Sequence, residues 1–283
     1  MIRLISWNMN GNPNSWSELV NSDIDLALLQ EAKPPPESMT SVVPDPKTPW
    51  FTAGGIRRNW CTAVACFSDK ITMQPYKLGT VSEYDPNSLP VSCKGTLAAA
   101  DVVIESTKEV ITFISMYGAW EEPLKNTKSS WIYADASVHR LISDISVLIG
   151  KQRGHKIIAA GDLNVLYGYG EHGSSYWKAR YDTVFDRFEA IGLPFVGPQA
   201  PEGGIQADTW PEELPKNSKD VPTYRTNKNK PETATRQLDF VFASDSLKNR
   251  LNIRAMNRPE EWGPSDHCRI LIELDEKVDV KQE

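Results

Sequence analysis

Residues 260–274 read EEWGPSDHCRILIEL. Cys268, Ile270, Ile272 and Leu274 alternate with Arg269 and Glu273, the period of a strand with one buried face. Asp266 and His267 stand directly before that strand, so their side chains are fixed to a rigid edge. Gly263-Pro264-Ser265-Asp266 is also good turn chemistry, and a capped turn would account for one such pair standing alone.

The pair does not stand alone. Apolar or alternating runs predict strands at Ile2–Asn8, Leu26–Gln30, Thr62–Phe67, Leu97–Ile104, Val110–Met116, Lys156–Ala160, Phe240–Ala243 and Cys268–Leu274. Asn8 closes the first run, Glu31 follows the second, Tyr117 ends "VITFISMY", and Asp162 and Asn164 end "HKIIAAGDLN". Amide, carboxylate, phenol and imidazole groups at adjacent strand ends would converge on one small volume. Helical periodicity is clearest over Ser130–Ile149, where Ile132, Ala136, His139, Leu141, Ile145 and Leu148 can share a face, and over Tyr176–Ile191. Many strands with few helices between them predict a mixed sandwich covered by helices.

Composition bounds the reading. The 283 residues carry a formal net charge of -6, with 40% hydrophobic and 24% charged residues, as expected of a soluble globular chain that can bury a core. Neither a signal-like start nor an apolar run of membrane-spanning length is present, so a cytoplasmic protein is expected. Cys61, Cys66, Cys93 and Cys268 lack CxxC spacing and read as reduced, mostly buried thiols rather than zinc ligands. No repeat or polar linker divides the chain, which predicts one domain over residues 1–276 and a charged tail at 277–283. Long Pro- and Gly-rich connections and the loop tryptophans Trp60, Trp120, Trp177, Trp210 and Trp262 are candidates for functional or stacking surfaces. The acidic balance argues against a long nucleic-acid grip. The segment Lys216–Arg236 is locally basic, with six Lys or Arg against Asp220 and Glu232.

Hard oxygen donors with few nitrogens and no thiolate suit Mg²⁺ or Mn²⁺. Phosphoester hydrolysis fits such a set, because it needs charge neutralisation at phosphate, a base for water and donors to the non-bridging oxygens.

The motifs "SWNMNG", "LLQEAK", "MYGAW", "GDLN", "RQLDFVFAS" and "GPSDH", in this order, resemble the endonuclease/exonuclease/phosphatase superfamily, which includes deoxyribonuclease I and exonuclease III. The resemblance implies a four-layer α/β sandwich, two mixed sheets face to face with helices outside and the active site at one rim. Position by position, it implies Glu31 as the principal metal carboxylate, Asn8 beside it, and Asp266 as a second metal-side acid. Asp162 is implied to align or deprotonate the attacking water, Asn164 to hold the scissile phosphate and Tyr117 to touch a non-bridging oxygen. Asp239 is implied to hold the imidazole of His267. Histidines 139, 155 and 172 are left as packing or surface residues.

Two departures matter. Asn10 stands where the exonuclease III branch usually has an acid, and "VLYGYGEHGSSYW" after "GDLN" replaces that branch's continuation. The expected activity is a Mg²⁺-dependent phosphodiester hydrolase, a nuclease acting on DNA. The alternative is a phosphatase or phosphodiesterase for a small nucleotide or other small phosphoester. Arg57, Arg58, Trp60, Trp177, Arg225, Arg236 and Trp262 are the candidate substrate contacts.

Overall fold

The computed structural model describes residues 1–53, 58–83, 85–121, 133–151, 154–169, 174–209, 211–226 and 228–276. Arg57, Ile132, His172, Trp210 and the expected tail at 277–283 lie outside the described residues. The strands are β1 (Ile2–Asn8), β2 (Leu26–Ala32), β3 (Val42–Val43), β4 (Cys61–Cys66), β5 (Ile71–Pro75), β6 (Leu78–Thr80) and β7 (Leu89–Val91). They continue as β8 (Leu97–Ile104), β9 (Val110–Tyr117), β10 (Ile157–Asp162), β11 (Phe195–Gly197), β12 (Asp239–Ala243), β13 (Leu251–Ala255) and β14 (Ile270–Leu274). The helices are α1 (Ser15–Val20), α2 (Asp135–Lys151), α3 (Ser175–Ala190) and α4 (Asp245–Lys248).

Two six-stranded sheets result, ordered β13-β14-β1-β2-β4-β3 and β11-β12-β10-β9-β8-β5. They repeat one pattern. Each has a central parallel pair, β1 with β2 in the first and β10 with β9 in the second, flanked by antiparallel partners. Parallel strands finish on the same side, so Asn8 pairs with Gln30 beside Glu31, and Asp162 pairs with Tyr117. Four of the polar strand ends are thereby gathered at one rim.

The sheets face each other over Leu4, Leu28, Val64, Phe113, Ile158, Val241 and Ile272. Large side chains of this kind contribute about 1.5–3 kcal/mol each on full burial. The outer face of the second sheet is covered by α2 and α3, with Phe188 stacked on Phe242 at 3.9 Å. The outer layer on the first sheet is thin, made of the six-residue α1 with Trp16 and the Trp50 loop packed on Ile5, Trp7 and Leu29. In α2 the buried stripe is Val138, Leu141, Ile142, Ile145 and Leu148, while Ala136 and His139 are only half-buried. The expected stripe was displaced because Val138 and Ile142 complete the i, i+3, i+4 row and His139 turns toward Arg187 on α3.

Candidate active site

Backbone geometry sets the site before any side chain does. β2 loses register with β4 between Leu29 and Ala32, and Glu31 in that interval has φ +48°. Such a bulge re-aims one side chain out of a strand's alternation. Asn10 and Asn164 also hold positive φ, +48° and +52°, a conformation non-glycine residues seldom adopt and one that concentrates at functional sites. At Gly118 an added Cβ would lie 2.2 Å from the Leu163 carbonyl oxygen. Only glycine lets the turn after Tyr117 approach the Asp162–Asn164 turn, where the Asn164 amide donates to Gly118 O at 3.1 Å.

His267 Nδ1 lies 2.8 Å from Asp239 Oδ2, and its Nε2 lies 3.7 Å from Asp162 Oδ2. Burial disfavours the imidazolium, but the charges of Asp239 and Asp162 outweigh it and push the His267 pKa up to about 10. The ring is therefore a cation at neutral pH, with Nδ1 donating to Asp239 and the Nε2–H too far from Asp162 for a hydrogen bond. Asp162 is fully buried and raised to about 7, first by burial and then by the charge of Asp239, against the opposing effects of His267 and Asn8. Its Oδ1 accepts from the Asn164 backbone N–H at 2.9 Å and its Oδ2 from the Asn8 amide at 2.9 Å. A fixed carboxylate with a pKa near neutrality has the properties of a general base.

On the first-sheet side, the Glu31 carboxyl accepts hydrogen bonds from Asn8 and Tyr117, and burial together with the Asp266 charge holds its pKa above the usual range. Burial likewise raises Asp266. The Tyr117 phenol is driven well above its ordinary value by burial and by Glu31 and Asp162, so it stays a hydrogen-bond donor.

Glu31, Asp162, Asp239 and Asp266 thus surround one imidazolium, leaving surplus negative charge on hard oxygen donors. That donor chemistry fits a divalent cation. Ligand atoms of Asp162, Asp239 and His267 lie within 4.8 Å of one another, yet His267 Nδ1 already donates to Asp239 and the Asp162 carboxylate already accepts from Asn8 and Asn164. Glu31, Asp266 and the Asn8 side chain are the groups left for a metal.

All eight residues assigned to catalysis or metal binding share this rim. Asp239 comes from β12 of the sheet opposite the one that His267 leads into. The substrate candidates divide. Trp60 is buried, its ring 4.9 Å from Tyr117 and edge-on, with the Arg58 guanidinium 5.4 Å from its centre. It braces the phenol instead of offering a face to a base. Trp262 is only 1% exposed, among the core residues. That burial contradicts a stacking role, because turn chemistry around it signals a loop but not the depth of the ring. Arg225 donates to Asn229 O and Ser265 O and so supports the turn before Asp266. Arg236 is exposed and bonded to Glu213 at 2.8 Å. Trp177 belongs to a separate cluster with Tyr133, Tyr181 and Arg180.

Three positioning residues went unread in the sequence. Ser265 Oγ donates to Asn8 O at 2.6 Å and accepts from the His267 backbone N–H at 3.1 Å. Thr223 Oγ1 accepts from the Asp239 N–H at 3.2 Å. The Tyr224 ring centre lies 5.0 Å from that of His267. The serine inside "GPSDH" was a visible signal, whereas "PTY" carries none until the chain is folded.

A sandwich of two mixed sheets with buried carboxylates, an imidazolium, amides and a phenol at one rim defines a hydrolase-type site of the deoxyribonuclease I-like class. The profile of the Endonuclease/Exonuclease/phosphatase family matches residues 5–267, and the chain belongs to that family of phosphoester-hydrolysing nucleases and phosphatases. Among solved structures it is similar to an AP endonuclease, LMAP, from Leishmania major (TM-score 0.61, 13% identity, covering 98% of this chain and 88% of that one). It is also similar to the Xenopus laevis APE2 catalytic domain (TM-score 0.61, 15% identity, 98% and 95%). A third likeness is to the 3′ phosphatase NExo from Neisseria, solved with a product DNA hairpin (TM-score 0.55, 16% identity, 97% and 100%). No curated protein matches the chain. Among the described residues, no helix is long and apolar enough to cross a membrane.

Proposed function

We propose that this protein is a Mg²⁺-dependent phosphodiester hydrolase, a nuclease acting on DNA. The observation that carries the reading is the imidazolium of His267 held between Asp239 and Asp162, opposite the metal-side pair Glu31 and Asp266. Glu31, Asp266 and Asn8 would hold the metal, which when bound neutralises phosphate charge. Asp162 orients the attacking water and takes its proton. Protonated His267, Tyr117 and the Asn164 amide donate to the non-bridging oxygens, where negative charge grows in the transition state. Asp239 acts through His267, keeping it charged and aligned. The likeness to a 3′ phosphatase solved with a product DNA hairpin and to an AP endonuclease supports the choice of substrate.

One observation favours the small-phosphoester alternative. The cationic candidates are partly engaged within the chain, Arg236 by Glu213 and Arg225 by backbone carbonyls, and the net charge is -6. The deciding experiment incubates the protein with Mg²⁺ and plasmid, abasic duplex, single-stranded DNA, RNA or small phosphoesters, beside an Asp162→Asn control. DNA cleavage abolished by that substitution is the expected result. Turnover of small phosphoesters alone would replace the nuclease reading with the alternative.

A further inference from the structure

Tyr224 sits at the centre of a row that the catalytic assignment does not use. It forms isolated antiparallel bridges with His267 on one side and Arg236 on the other. The bonds Arg225 N–H to Asp266 O (3.0 Å) and Cys268 N–H to Thr223 O (2.9 Å) flank the His267 bridge. Tyr224 and His267 are thus a non-hydrogen-bonded pair, the arrangement that brings side chains closest. On the other side the Tyr224 N–H donates to Arg236 O at 3.1 Å. Directly opposed residues share a face, so imidazole, phenol and guanidinium stand in line from the buried centre to the surface.

The two outer members have unused hydrogen-bonding capacity. Tyr224 is partly exposed, and its hydroxyl makes no hydrogen bond among the described residues. Arg236 is 52% exposed along its side chain and has one Nη2–Glu213 contact, a surface pair of little energetic weight; a guanidinium carries five donors. Two cross-strand steps of roughly 5 Å each separate Arg236 from His267. The row is therefore longer than one phosphoryl group.

We propose that Tyr224 and Arg236 form a second phosphate subsite, holding the phosphodiester next to the scissile one on a nucleic-acid strand. The inference rests on the nuclease reading and deepens it. His267 meets the phosphate that is cut, while the phenol hydroxyl and guanidinium donate to the oxygens of its neighbour. A substrate with a single phosphate leaves the outer half of the row empty. A strand fills it.

The test measures binding in Mg²⁺ with every protein carrying Asp162→Asn, so that nothing is cleaved. The probes are a thymidine dinucleotide with one phosphodiester and a trinucleotide with two. The trinucleotide should bind about tenfold tighter, the worth of one hydrogen bond to a charged group. Tyr224→Phe, which keeps the ring packed on His267, and Arg236→Gln, on the exposed surface, should each remove most of that preference. Arg236→Gln should also make the salt dependence shallower by about 0.7 on logarithmic axes, whereas Tyr224→Phe should leave it unchanged. No preference in the unsubstituted row, or a preference that survives both changes, overturns the subsite. A strand that binds with the stated preference, yet is not cut when Asp162 is present, overturns the nuclease reading and leaves the subsite standing.

Discussion

Asp239 and His267 belong to opposite sheets and meet at 2.8 Å, Oδ2 to Nδ1, with neither side chain open to solvent. Asp239 leads β12, and His267 precedes β14 by three residues. One carboxylate therefore fixes the position and the charge of a ring that its own strand leaves mobile about two torsions. His267→Ala and Asp239→Asn should each lower turnover by roughly 10², the order lost with a positioned donor. The double variant should be little worse than the worse single one, since residues that act as a unit are strongly non-additive. Multiplying losses in steady-state kinetics would separate the two groups.

The same pair sets a pH dependence of stability. The folded pKa of His267, about 10, lies above its ordinary 6.5, so its contribution is fully present below about pH 6.5 and fades as pH rises through about 10. The gap in unfolding free energy between the parent and Asp239→Asn should narrow over that window. Urea titrations of both proteins at several pH values measure it, and a gap constant from pH 6 to pH 10 counts against the charge assignment.

Glu31 offers a prediction in the absence of metal. Its raised pKa means that burial and Asp266 penalise the charged carboxylate, so stability falls as pH rises through its titration. In EDTA at neutral pH, Glu31→Gln should melt at a higher temperature than the parent. Adding Mg²⁺ should raise the parent's melting temperature by mass action and move the variant's much less. Equal responses to the ion would remove Glu31 from the metal set.

Gly118→Ala should be severely destabilising, by about 3 kcal/mol or more, because its Cβ would meet backbone at 2.2 Å and backbone cannot swing aside. Denaturant unfolding gives the number. Any folded fraction should have reduced activity, since the Asn164 amide is anchored on the Gly118 carbonyl. An unperturbed midpoint would mean that this turn has more room than its geometry indicates.

The sequence was most legible where strands are long and buried. β1 and β8 fall on the expected bounds, β9 and β12 differ by one residue at one end, and β10 differs by one or two residues at each end. The short edge strands β3, β5 and β11 escaped, because two to five residues carry too little alternation and their pairing comes from neighbours far along the chain. At the site, the strand-end polar groups were readable because each follows an apolar run. Trp60 and Trp262 were misread for the opposite reason: whether a loop ring is a surface or a brace depends on what folds over it. Tyr224 stayed invisible because isolated bridges, not a periodic strand, place it.

Three hydrogen bonds of the site span the gap between the sheets: Asn8 to Asp162, Tyr117 to Glu31, and His267 to Asp239. Glu31 and Asp266, the proposed metal-side groups, belong to one side, and Asp162 and Asp239 belong to strands of the other sheet. The catalytic centre is in this sense a gauge of sheet spacing, read at the rim of the sandwich. Shaving a side chain such as Phe113 or Val241 deep between the sheets should therefore disturb the groups that must meet across that gap as well as the stability of the core. Residues that never approach a substrate thereby hold part of the control over its rate.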